Sequence, residues 1–190
     1  MKSAMAVAGI LFTATVLGLT PAAFAEQGAG SPPLAQALQL TPFPLERGIA
    51  ASSREGTPIS AKYETDDDDG DEIQLSVYTM KAGAVIVDPA TGDVTMGNAA
   101  FAEVIVDYKT GAVEKVVPIT GGEDLADART QSKAMALTRR SLETATTEAV
   151  KANGGFRAVS ATPALADGHP VAKVVLIKGE DWKTVYEKLD

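Results

Sequence analysis

Two groups of residues have the types that chemistry needs. The first is the run Thr65-Asp-Asp-Asp-Asp-Gly-Asp-Glu72, whose carboxylates are oxygen ligands suited to a hard cation. Aligned to a calcium-binding loop with Gly70 at the sixth position, the first position is Thr65 and the twelfth is Ser76. Such a loop needs an acid first and a bidentate glutamate last, so the run is not one. Asp66, Asp67, Asp68 and Asp69 remain weak cation ligands. Otherwise residues 66–72 read as a solvated hairpin loop whose charges discourage edge-to-edge aggregation. The second candidate is His169, the one histidine. It follows Asp167-Gly168 and precedes Pro170, a turn setting. A Ser-His-Asp site would need it held in a cleft by a second group, and its sequence context reads instead as an exposed turn.

Other chemistry is excluded or unsupported. There is no cysteine, which removes thiol catalysis, disulfides, Cys-ligated zinc and haem attachment through Cys. A zinc site would have to be built mainly from carboxylates, which is uncommon. Gly92, Gly97, Gly111, Gly121 and Gly122 lack phosphate-loop spacing and read as turn glycines. Arg139-Arg140 is the one basic pair and reads as solvated. The net charge of −8 repels nucleic acid and anionic lipid. No catalytic residue, cofactor or nucleic-acid partner is therefore expected.

The compartment is written at the N-terminus. Lys2, an apolar run from Met5 to Leu19, Pro21 and then Ala23-Phe-Ala25 form a secretory signal peptide, 1–25, with cleavage between Ala25 and Glu26. The run is short for a membrane span of about 20 residues. The periplasm is the expected location, with secretion as second choice, and no membrane contact after cleavage.

The elements that would position any site follow in order. Residues 26–44, rich in Gly and Pro, read as a flexible leader with one helical turn at Leu34–Leu38. Leu45–Arg54 has helical spacing, with Gly56 as its cap and Gly48 counting against it. Ile59–Tyr63, Ile73–Thr79 and Phe101–Tyr108 alternate as half-buried strands. Ala112–Val117 is a fourth, ended by Pro118. Val85-Ile-Val-Asp-Pro-Ala-Thr-Gly-Asp-Val94 repeats Val104-Ile-Val-Asp-Tyr-Lys-Thr-Gly-Ala-Val113 at seven of ten positions, so the insertion 83–100 is a second hairpin or an irregular loop. Glu123–Asn153 is helical, either one helix or two that break near Thr138–Arg140. Strands follow at Phe156–Ala161, Val171–Ile177 and Trp182–Leu189. The pattern predicts an α+β fold: an antiparallel β-sheet with helices packed on one face, in two αβββ units.

A helix, then Gly56-Thr-Pro-Ile-Ser-Ala-Lys-Tyr-Glu64, Asp69-Gly70, an alternating strand and Glu103-Val-Ile-Val-Asp-Tyr-Lys-Thr-Gly-Ala-Val113 together resemble the PepSY domain family. Unit 1 would span 45–119, with the insertion 83–100. The long helix and unit 2 would span 120–190, a divergent copy that lacks the Asp-x-x-Thr-Gly turn. The resemblance implies a non-catalytic exported binding module that regulates or inhibits a protease in the cell envelope, with a peptidase or other envelope protein as partner. The alternative is a cation or small-ligand binding protein using the acidic loop 66–72.

Overall fold

The computed structural model describes residues 32–65, 73–83, 85–88, 90–91, 93–96 and 101–190. Along them run α1 (Pro32–Gln39), α2 (Leu45–Ser52), β1 (Thr57–Thr65), β2 (Ile73–Met80), β3 (Val85–Val87) and β4 (Val94–Met96). Then come β5 (Phe101–Val106), β6 (Val113–Ile119), α3 (Gly122–Ala136), α4 (Leu142–Ala152), β7 (Arg157–Ala166), β8 (His169–Lys178) and β9 (Asp181–Lys188). Seven strands form one antiparallel sheet in the order β6-β5-β2-β1-β7-β8-β9, and β3 and β4 form a separate two-stranded hairpin. The helices pack on the sheet, so the fold is α+β.

Alternation builds the sheet. Leu75 and Val77 of β2, Val104 and Val106 of β5, and Ala61 and Tyr63 of β1 share one face through their pairing register, and all are buried. On that face α2 turns Leu45, Gly48, Ile49 and Ser52 inward, the spacing of one helix side. Gly48, which the sequence counts against a helix, is needed there. A β-carbon on it would lie 2.4 Å from Leu75 Cδ2, so glycine lets the helix approach the strand. Gly56 is not the helix cap; Ser53 is. A β-carbon on Gly56 would lie 2.7 Å from the Met80 carbonyl oxygen, at the β1–β2 pairing.

The sequence predicts helices on one face; the structure has them on both. Tyr78 points away from the Leu75 side of β2, because strand side chains alternate, and its hydroxyl donates to Asp124 Oδ1 of α3 at 2.7 Å. So α3 covers the second face. α4 touches α2 and lies in the first layer. The helical stretch 123–153 therefore breaks at Leu137–Ser141 to change layers. Ser141 caps α4, its side chain accepting from Thr144 N at 3.1 Å. The Arg139 and Arg140 amides both donate to the Leu189 carbonyl, at 2.8 and 3.2 Å.

The leader read over 26–44 is, from Pro32, part of the packed core. Leu34 and Leu38 of α1 are fully buried and Phe43 nearly so. Arg157 of β7 ties this segment down, donating to the carbonyls of Leu38 and Phe43 at 2.7 Å each and to that of Thr41. Tyr63 donates to the same Phe43 oxygen at 2.8 Å. Burial pushes the Tyr63 phenol up to about 12, so it stays a neutral donor. Proline and glycine content reads as flexibility because it says nothing of a distant arginine that collects the loop's carbonyls.

Two boundaries also move. Pro118 does not end its strand: β6 runs through it to Ile119. This is tolerated because β6 is an edge strand, where a proline nitrogen faces outward. The insertion is a hairpin, β3–β4, lying against α3. The signal peptide 1–25, its cleavage between Ala25 and Glu26, and the acidic run 66–72 lie outside the described residues.

Candidate functional site

The sheet has two outer strands, and both carry charges, β6 having Glu114 and Lys115 together with Pro118. β9 carries Asp181, Lys183, Glu187 and Lys188, charges that discourage a further strand. β6, Val113-Glu-Lys-Val-Val-Pro-Ile119, exposes Val113 (36%) and Val116 (42%). Its inner edge pairs with β5 through Val104↔Val116, Ile105↔Lys115 and Val106↔Val113. Pro118 has no amide hydrogen and turns its nitrogen outward. By the two-residue repeat, the Val116 N–H and carbonyl also face outward. At Val116 the edge thus offers outward backbone groups beside an apolar side chain, the kind of feature that strand addition uses, while Pro118 supplies no N–H there. A hollow of about 260 Å³ adjoins it, lined by Gln74, Ile105, Tyr108, Lys109 and Glu114 among others.

The hairpin that presents this edge is fixed by its turn. Asp107 Oδ1 accepts from Lys109 N at 2.6 Å and Thr110 N at 3.2 Å, and Oδ2 accepts from the Thr110 hydroxyl at 2.6 Å. Gly111 takes φ +78°, the left-handed conformation the turn needs. The Thr110 hydroxyl and the Lys109 amide hold the Asp107 carboxyl below its ordinary value. The repeat seen in the sequence is also a repeat in structure. Asp88 Oδ1 accepts from Ala90 N at 2.7 Å and Thr91 N at 3.2 Å. Asp88 N donates to Asp93 O, as Asp107 N does to Ala112 O, each at 2.8 Å.

The face beneath α3 is polar. Register places Ser60, Lys62 and Glu64 of β1 beside Tyr78, Ser76 and Gln74 of β2, with Glu103 of β5 opposite Tyr78. Ser76 Oγ donates to Glu103 Oε1. Lys62 Nζ stands 2.5 Å from Glu64 Oε2. Across this layer α3 sets Asp124, Asp127 and Gln131, and Gln131 Oε1 is buried without a partner. Burial raises the Glu64 carboxyl, against the pull of Lys62 and with the push of Glu103 and Asp124. Asp127 is raised by burial, then by Asp124 and Glu123. The Tyr78 phenol is raised by burial and by its bond to Asp124.

Of the side chains singled out in the sequence, His169 and Arg140 are among the described residues. His169 is exposed at the β7–β8 turn, its Nδ1 3.4 Å from Asp190 Oδ2, an ion pair only when the ring is protonated. Asp66 to Asp69 are outside the described residues. Arg140, read as solvated, donates to the Lys188 carbonyl at 2.8 Å and pairs with Glu148, so it holds the C-terminal strand. The polar layer under α3 was not legible as a group. Its one signal was the spacing Asp124, Asp127, Gln131, which puts three polar side chains on the same side as Ala128 and Met135.

Among the described residues no three His, Cys, Asp or Glu side chains are arranged to hold a metal ion, and no helix is long and apolar enough to cross a membrane. Compared with known proteins, the chain matches no family model, no curated protein and no solved structure.

Proposed function

We propose that this chain is a non-catalytic binding module of the PepSY type, exported to the periplasm, that docks a protein partner on the free edge of β6. A peptidase of the cell envelope is the partner class that the resemblance favours. The observation that carries the docking reading is the β6 edge itself, where Val113 and Val116 are exposed beside outward-facing backbone groups.

We further read the sheet as two αβββ units joined at their first strands. Support comes from the order β5-β2-β1 followed by β7-β8-β9, in which each unit runs outward from the centre, with β6 as a fourth strand outside the first unit's three. β1 has a register shift between Pro58 and Ser60, and β7 has one between Ala158 and Ser160. Each first strand is preceded by a helix, α2 or α4, and these two helices touch.

The test is capture in the host. The tagged protein is crosslinked briefly in cells and its neighbours are identified by mass spectrometry. A peptidase enriched over an equally acidic control, and inhibited when the purified protein is added, supports the reading. No enriched protein at low or high salt contradicts it.

A further inference from the structure

Four carboxylates meet at the contact between α3 and the sheet: Glu64 from β1, Glu103 from β5, and Asp124 and Asp127 from α3. Few cations face them. Lys62 of β1 pairs with Glu64. Lys173 of β8 is on the same sheet face, opposite Thr162 of β7. On α3 itself Glu123 adds a further acid, and Arg129 and Lys133 are exposed. β7 contributes the neutral Ser160 and Thr162, β2 the neutral Gln74, Ser76 and Tyr78, and β3 and β4 contain no charged residue. Asp124 is held by Tyr78 and Glu103 by Ser76. Glu64 and Asp127 lack such neutral donors in the hydrogen bonds described, and Glu64 is half-buried.

We propose that α3 is a pH-dependent strap: it grips the sheet in mild acid and loosens toward neutral pH, uncovering the polar face beneath it. The cause is the local excess of acids: Glu103 and Asp124 repel a charged Glu64, and Asp124 and Glu123 repel a charged Asp127, where burial already disfavours charge. The direction follows from linkage. Glu64 and Asp127 are both raised in the folded state. Their stabilisation is complete below the ordinary carboxylate values near 4 and is lost as pH rises through the raised ones. α4 in the opposite layer is the internal reference, because it packs on the other face of the same sheet.

Hydrogen exchange of the full protein, corrected for intrinsic exchange, tests this between about pH 4 and about pH 7.5. Protection of the α3 amides relative to α4 should fall as pH rises, by roughly tenfold for each pKa unit by which the pair is displaced. Glu64→Gln with Asp127→Asn should flatten that dependence while α4 keeps its protection. Glu64→Gln alone should flatten it in part, and serves if the double variant loses the fold. A constant α3-to-α4 ratio in the unaltered protein overturns the proposal. So does an equal fall in both helices, or a fall that persists unchanged in the variants.

Discussion

Arg157 and Tyr63 converge on one atom, the carbonyl oxygen of Phe43, which accepts from both at 2.7 and 2.8 Å. The guanidinium also lies 5.6 Å from the centre of the Tyr63 ring. Two strands from opposite halves of the sheet thus fasten the segment that joins α1 to α2. Replacing Arg157 by Met should take one donor from each of three carbonyls, leaving Phe43 O its bond from Tyr63 and Leu38 O its bond from the Thr41 amide, and cost about 2–4 kcal/mol in urea unfolding. Lysine should not rescue it, because a point charge cannot reproduce the fork. Tyr63→Phe should cost about 1 kcal/mol. Equal stability of the Met variant and the parent would show that the segment is held by apolar burial alone.

Gly48 and Leu75 should be coupled. Gly48→Ala drives a methyl into the fully buried Leu75, an overpacking that costs about 1–3 kcal/mol. In a Leu75→Ala background the same change should cost much less, because the clashing atoms are gone. A double-mutant cycle on unfolding free energies measures this. Additive effects would place α2 farther from β2 than the structure has it.

The Asp107 turn gives a pH test. Its carboxyl is held below the ordinary value by the Thr110 hydroxyl and the Lys109 amide. A depressed folded value stabilises above the unfolded one, near 4, and that stabilisation is lost as pH falls through the folded value. Asp107→Ala should therefore lower the melting temperature at neutral pH, with the gap to the parent closing in acid. Asp88→Ala, in the hairpin outside the main sheet, should lower it less. Melting scans of the three proteins across pH distinguish these outcomes.

What could be seen in the sequence was whatever depends on short-range pattern. Leu75 and Val77 alternating with Ser76 and Tyr78 announce a strand, and Asp167-Gly168 announces a tight turn, with φ of 51° and 81°. The Asp-x-x-Thr-Gly repeat left a second hairpin or an irregular loop open over 83–100, and the structure has the hairpin β3–β4. Layer assignment was not legible. Ala128 and Ala145 look alike in a helical stripe, yet one lies in α3 beneath one face of the sheet and the other in α4 beneath the opposite face. The long-range bond from Tyr78 to Asp124 and the packing of α4 against α2 separate them. The candidate edge was hidden for the same reason. Which strand ends outermost depends on β1 pairing with β7, Ala61 against Ala161, and no local signal reports that.

The most direct test of docking at β6 is partner capture with altered edges. Val116→Lys places a charge on the strand, and Val116→Pro removes an outward N–H while sparing the inner ladder. Val116→Thr keeps the backbone and the shape. With folding verified by unchanged circular dichroism, the Lys and Pro variants should lose the partner that the parent and the Thr variant retain. Retention of the same partner by all four proteins would contradict docking at this edge.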